Sequence, residues 1–314
     1  MSKSAKRFLR IFLTVAIVLV VGYFFARTLA RNWDQLSDVD FSFSFWGVAS
    51  VVVFASAVPV SGVLWGRMVG ELGSFRPSAL EAVRVHCLSW LLKYVPGQVG
   101  SVVNKLAWAV DRGVSKVLVT ITFVYENAFL LISSILPPAV ILLGAGALDL
   151  GDSYILLAVM SLIPLVLVTN GPVFRVGTNL IAKRLAKRTV PDEYFLRWGA
   201  AMKYQVLYLI PRAINGAGFV LVAVSLLDVP SEYWLPLACA YVIAGGVGLL
   251  ALFVPSGIGV REAVIVLLAA PFLPAEQAII LALAARLYAT LGDVVVAAIY
   301  GILRAVSRKG TVTT

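Results

Sequence analysis

The sequence predicts an all-α polytopic membrane protein, built as an inverted-topology repeat with two re-entrant broken-helix hairpins and about six full spans. Three observations predict it. The 314-residue chain is 61% hydrophobic and only 13% charged, with mean hydropathy +0.95, whereas soluble domains are about 45–50% apolar and about 25% charged. Two stretches, Val95-Pro96-Gly97-Gln98-Val99-Gly100 and Val254-Pro255-Ser256-Gly257-Ile258-Gly259, share the pattern V-P-x-x-[VI]-G inside apolar runs. Pro96 and Pro255 are 159 residues apart, about half the chain. Third, basic residues cluster at alternate ends of the apolar runs, as the positive-inside bias of cytoplasmic loops requires.

The elements follow in order. Lys3, Lys6, Arg7 and Arg10 place the start of a first span, roughly 8–28, in the cytoplasm. No small-residue cleavage site follows it, so it reads as an uncleaved helix and not a signal peptide. A loop with Asp34, Asp38 and Asp40 lies outside, and a second span, roughly 45–69, returns to Arg67 and Arg76. Residues 78–94 and 101–110 flank the first Pro-Gly break. Proline removes an N–H and glycine frees the backbone, so a helix stops there. The result is a hairpin that enters from the cytoplasm and goes back. Non-helical backbone at that depth is tolerated where protein or a cavity buries it.

The third span, roughly 115–147, is expected to bend at Pro137-Pro138, and the fourth is roughly 153–171. Arg175, Lys183, Arg184, Lys187, Arg188 and Arg197 make the most basic loop, which suits a surface-lying amphipathic helix. The fifth span, roughly 199–228, leads to a second hairpin, 233–253 and 260–272, that enters from outside. The last span, roughly 275–303, ends at Arg304, Arg308 and Lys309. The whole is one membrane domain, 1–314, with repeats at about 45–150 and 205–308 and an extra N-terminal helix, 8–28. Both termini are expected in the cytoplasm. Matching broken helices in two halves point to a transporter site near the midplane.

Composition narrows the function classes. The net charge of +10 flanks apolar spans, so it suits topology and anionic lipid surfaces, not nucleic acid. Cys87 and Cys239 lie in apolar sequence and read as small buried hydrophobes, not a disulfide. His86 is the single histidine. It reads as a hydrogen-bonded structural residue, with pH sensing as the alternative. No metal cluster, catalytic triad or Walker A motif can be assembled, and neither a metal nor a cofactor is expected.

The segment Leu92-Lys93-Tyr94-Val95-Pro96-Gly97-Gln98-Val99-Gly100 resembles the first signature of the lysylphosphatidylglycerol synthase transmembrane region. Val254-Pro255-Ser256-Gly257-Ile258-Gly259-Val260-Arg261-Glu262-Ala263 resembles the second. Many members carry an arginine near the end of the first signature, where this chain has Asn104-Lys105. The resemblance spans nearly the whole chain and implies a flippase-like protein. Such proteins translocate lipids with polar heads, linked to aminoacylated phosphatidylglycerol or to polyprenyl-phosphate sugars. The chain stops at Thr314, just after the last span, so the soluble synthase activity is expected to be absent.

A flippase must lower the cost of moving a phosphate through hydrocarbon, at least about 2.5–3.5 kcal/mol per charge on insertion scales. Half-helices starting near Gly100 and Gly259 would offer free N–H groups and a positive dipole end, which suit phosphate. The candidate head-group site is therefore Gly97, Gly100, Gly257, Gly259 and Arg261, assisted by Lys105 or Lys93. The alternative for Arg261 is an interfacial snorkelling residue. Glu262 points about 100° away from Arg261 and reads as a salt-bridge partner or a proton carrier. Glu126, Arg212, Arg286 and Asp293 interrupt apolar spans, where ionisable residues are functional candidates and usually paired. Glu126 is expected to pair with Arg286 or Arg212, serving either a cavity or structure. Asp293 is seven residues after Arg286, on roughly one face. Tyr125 and Tyr288 are candidates to hydrogen-bond a head group or to pack.

The leading expectation is translocation of an anionic lipid-linked head group, most of all a polyprenyl-phosphate sugar, with membrane glycosyltransferases as partners. The alternatives are a phospholipid or aminoacyl-phosphatidylglycerol translocase or scramblase, a membrane enzyme using Glu126, Glu262 and Asp293 on a lipid phosphate, and a glycosyltransferase scaffold.

Overall fold

The computed structural model describes residues 44–94, 99–145, 165, 167–168, 170–186, 189–251, 257 and 259–309. The spans expected at 8–28 and, for the most part, 153–171 lie outside them, as do Gly97, Pro96 and Pro255. The described chain is helical, with α1 Phe45–Leu72, α2 Ala79–Leu91, α3 Val99–Asp111, α4 Lys116–Gly144 and α5 Gly171–Ala186. Then come α6 Trp198–Leu207, α7 Leu209–Leu226, α8 Trp234–Leu250, α9 Val260–Ala269 and α10 Ala275–Lys309. No strand occurs among the described residues.

Local chemistry sets these limits. Ser44, Ser78 and Ser115 each cap the helix that follows, accepting from the backbone N–H of Gly47, Glu81 and Leu118; a serine side chain at that place satisfies an orphan donor. Gly113, at φ 67°, closes α3, with Val114 N–H donating back to Ala109 carbonyl at 2.8 Å. The fifth expected span is two helices, broken at Tyr208. Pro211 has no N–H to give to the Leu207 carbonyl, so the ladder fails there. Pro137-Pro138, by contrast, sit inside α4 without ending it.

Among the described residues, five segments are long and apolar enough to cross a bilayer: 45–72, 116–144, 192–226, 231–250 and 275–307. The arms α2 and α3, 13 residues each, reach only about 20 Å at 1.5 Å per residue. That is short of a hydrocarbon core of about 30 Å. The second hairpin is lopsided: α9 has 10 residues, but the segment leading into it, 231–250, is long enough to cross by itself. Apolar side chains such as Phe45, Val52, Leu267 and Ile302 are more than half exposed. Exposed apolar patches on this scale suit contact with lipid.

Partners are exchanged between the halves. Helices α1 and α7, the first of each half, pack on one another; α2 packs against α10, and α8 against α4. Such an exchange is what a two-fold relation between the halves would give. At the α1–α7 crossing the helices meet closely. A Cβ on Gly218 would come within 2.8 Å of the Phe54 ring, and Phe54 is buried against Tyr241.

Overpacking a tight site costs about 1–3 kcal/mol. Gly218→Val is expected to lower the thermal midpoint in detergent, read with a thiol-reactive dye on the buried Cys87 and Cys239. Gly144→Ala, where a Cβ meets nothing within 4 Å, should leave it unchanged.

Candidate functional site

Between the two hairpins lies a cavity of about 190 Å³, lined from both halves. Its walls come from α1, α2, α3, α4, α7, α8, α9 and α10. Of the residues singled out by sequence, Lys93, Lys105, Glu126, Arg212, Arg261 and Asp293 line it.

The charges fall into three groups. In the first, Lys105 of α3 forms a buried ion pair and hydrogen bond with Glu126 Oε2 of α4. The Lys105 ammonium also lies 4.5 Å from the Trp65 ring centre. His86 Nδ1 sits 3.3 Å from the other oxygen, Glu126 Oε1, without the alignment of a hydrogen bond. Glu126 therefore pairs with neither Arg286 nor Arg212. The lysine one turn into the nearer half-helix has the shorter reach. In the second group, Lys93, just beyond α2, pairs with Asp293 of α10 at 2.7 Å, and Trp90 Nε1 donates to the same carboxylate at 2.7 Å. This pair ties the first hairpin to the last helix of the second half.

The third group is Arg212 of α7 and Arg261 of α9. Among the described residues neither has an ion pair. Arg212 Nε donates to the Leu130 carbonyl at 3.3 Å. The Arg261 guanidinium lies 5.4 Å from the Tyr241 ring centre, within cation–π range. A Cβ built on Gly245 would be 3.8 Å from both Arg212 Nη1 and Arg261 Nη2. The two nitrogens therefore lie within twice that distance, 7.6 Å. A phosphate accepting charge-assisted bonds of about 2.8 Å from each side fits this gap.

Glycines hold Arg261 in place. A Cβ on Gly248 would meet the Arg261 side chain at 2.5 Å, and one on Gly257 at 3.1 Å. The arginine stem thus lies in a slot that only glycine leaves open. Gly257 and Gly259 have φ of 65° and 84°, in the left-handed region that glycine favours. Glu262 reaches back to accept the Gly259 N–H at 2.6 Å, closing the start of α9. It also faces Arg286 at 3.9 Å. Glu262 and Arg286 thus fasten α9 to α10, as Lys105 and Glu126 fasten α3 to α4, with the signs reversed.

The candidates Tyr125, Tyr288, Arg286 and Gly100 lie outside the cavity lining. Tyr125 is buried away from the cavity, accepting from Leu196 N–H at 3.1 Å and stacking on Phe174 at 4.3 Å. Tyr288 is not in the lining either; it packs at Gly47. Arg286 is outside the lining and faces Glu262 at 3.9 Å. Gly100 lies in the first turn of α3, outside the lining. Sequence reading missed Ser89, Trp90, Asn215, Tyr241, Gly245 and Gly248, all in the wall. The close-set run Gly245-Gly246-Val247-Gly248 ahead of the second break was the available signal.

The sequence matches the family described as Lysylphosphatidylglycerol synthase TM region over residues 11–297. The chain belongs to this family. No curated protein matches it. The stretch that resembles the family's second signature carries Gly257, Gly259 and Arg261. The stretch that resembles the first carries Lys93, which lines the cavity. Among the described residues, no group of histidine, cysteine or carboxylate side chains is arranged to hold a metal.

Removing one partner of a buried ion pair costs about 3–5 kcal/mol, while replacing both with apolar groups is often neutral. Glu126→Leu alone is therefore expected to lower the thermal midpoint far more than Glu126→Leu combined with Lys105→Met. Equal losses would mean that the pair is not coupled.

Proposed function

We propose that this protein translocates an anionic lipid head group across the cytoplasmic membrane, and that Arg212 and Arg261 hold its phosphate. The observation that carries this reading is two guanidinium groups converging over Gly245, in a cavity between two broken helices, with no carboxylate to neutralise them among the described residues. A positive charge is costly in hydrocarbon unless something pairs it. A passing phosphate supplies that partner. The cavity gives the head group a polar path, and the lipid tail stays against the apolar outer faces. Membership of the family supports lipid handling.

The finer reading is a polyprenyl-phosphate-linked sugar. Hydroxyls of a sugar beside the phosphate find Ser89, Asn127 and Asn215 in the same wall. In this reading the protein is a transporter and not an enzyme. It works with membrane glycosyltransferases that make or use the lipid, and its termini face the cytoplasm.

The test is reconstitution into liposomes, comparing flip of a labelled polyprenyl-phosphate sugar with labelled phosphatidylglycerol. A hydrogen bond to a charged group contributes about 1.5–3 kcal/mol, so Arg261→Gln and Arg212→Gln should each slow flip of the sugar lipid about tenfold or more. Recovered lipid should be chemically unchanged. Flip of both lipids at rates untouched by either substitution would make the protein a scramblase with its path elsewhere. A modified lipid would make it an enzyme.

A further inference from the structure

We infer that His86 and Glu126 form a proton-binding site opening on the anion cavity, and that one proton crosses with each head group. This rests on the transport reading above and adds the co-transported ion. His86 belongs to α2 and Glu126 to α4; both line the cavity, and both are buried. Nδ1 and Oε1 face each other at 3.3 Å, yet Nδ1 has no hydrogen-bond partner. A neutral imidazole nitrogen without its hydrogen and a carboxylate oxygen are both acceptors. With the ring hydrogen on Nε2, the two buried acceptors at that separation repel. A proton taken up on either, with a small turn of the ring to align it, relieves the repulsion. The other two carboxylates named by sequence have no such gap. Glu262 accepts from the Gly259 N–H and faces Arg286, and Asp293 is held by Lys93 and Trp90.

The neighbours tell what the proton responds to. From α3 comes Lys105, bonded to Oε2. From α7 comes Arg212, and from α8 Tyr241, both in the same cavity wall. Tyr208, at the joint of α6 and α7, has a buried hydroxyl with no partner. The Lys93–Asp293 pair stands on the side of α10. Helix α1 adds Ser61 and Trp65, which carry no charge. With neutral His86, the Lys105–Glu126–His86 group has no net charge; a bound proton makes it +1. Lys105 and Arg212 oppose that extra charge while the cavity is empty. An anion lodged between Arg212 and Arg261 cancels the opposition. Proton and anion therefore strengthen each other's binding, and the coupling is reciprocal. The proton is taken from water on one side, held between Nδ1 and Oε1, and returned to water on the other.

The test uses the full chain in liposomes, with the membrane potential clamped at zero and a pH difference of one unit. The probe is a fluorescent polyprenyl-phosphate sugar. One proton per lipid predicts enrichment approaching tenfold in the leaflet on the alkaline side, because one pH unit is a factor of ten in proton activity. His86→Gln, which leaves the Lys105–Glu126 pair intact, is expected to equilibrate the probe with a ratio of one. A wild-type ratio of one, or equal enrichment in both proteins, overturns the inference. Wild type that fails to move the probe even without a gradient would instead defeat the transport reading. Proton uptake then decides for the site: polyprenyl phosphate is added to the detergent-solubilised protein in weak buffer with a pH dye. About one proton per bound lipid, lost in His86→Gln, upholds the site, and no uptake in wild type overturns it.

Discussion

A charge inside hydrocarbon must find an opposite charge, a dipole or water, and the arrangement of this protein follows from meeting that demand. The spanning helices satisfy their own backbones. Their ionisable side chains cannot, and so they reach across to neighbouring elements. Lys105 ties the returning arm of the first hairpin to α4 through Glu126. Glu262 ties the returning arm of the second to α10 through Arg286. Lys93 crosses to the other half and meets Asp293. Each pair also places a short helix, too short to hold itself in a membrane, against a long one. The breaks free the hairpins from the regular ladder, and the ion pairs decide where they come to rest.

Two arginines stand outside this pairing, and the backbone has been shaped to allow it. Gly248 and Gly257 leave a slot for the Arg261 stem, and Gly245 leaves room for both guanidinium groups. Tyr241 offers the ring face over which Arg261 rests, a partner that leaves its N–H donors free for an anion. Two carboxylates share the cavity wall with these arginines, but Glu126 and Asp293 are each taken by a lysine. The lysines thus do more than stabilise packing. They keep the acidic side chains away from the arginines and so preserve a positive site.

The helical class and the spans near 45–72, 116–144 and 275–307 were legible because each rests on a local rule. Apolar length marks a span, and proline with glycine marks a break; the serine caps at Ser44, Ser78 and Ser115 were equally local signals that the sequence reading passed over. The membership of the cavity was half legible. Intramembrane charge pointed to Arg212, Arg261, Glu126 and Asp293, since charge there is seldom idle. Pairing was not legible, because it depends on which side chains two packed helices bring within about 4 Å. The 159-residue offset places Arg286 opposite Asn127 and next to Glu126, which suggested a partnership across the repeat. Helix packing gave Glu126 instead to Lys105, 21 positions away in the chain. Tyr125 misled for a similar reason: its position in α4 is right for a cavity, but its rotation about the helix points it at Phe174.

The repeat governs the backbone and not the charges. Helix contacts are exchanged between halves, yet the first half pairs its returning arm through the cation Lys105 where the second pairs through the anion Glu262. A transporter with two equivalent halves would bind its substrate equally from either, and would have no residue set aside for a second ion. Here the second half supplies the two arginines of the cavity wall, Arg212 and Arg261, proposed to face the head group. The first supplies the histidine and carboxylate whose acceptors face each other at 3.3 Å. Such a division lets one cavity hold an anion against one wall and a proton against the other. Similar backbones move alike, while different side chains give each wall its own ligand. In the proposed mechanism, it is this difference in charge between the halves that would turn a passive pair of hairpins into a coupled one.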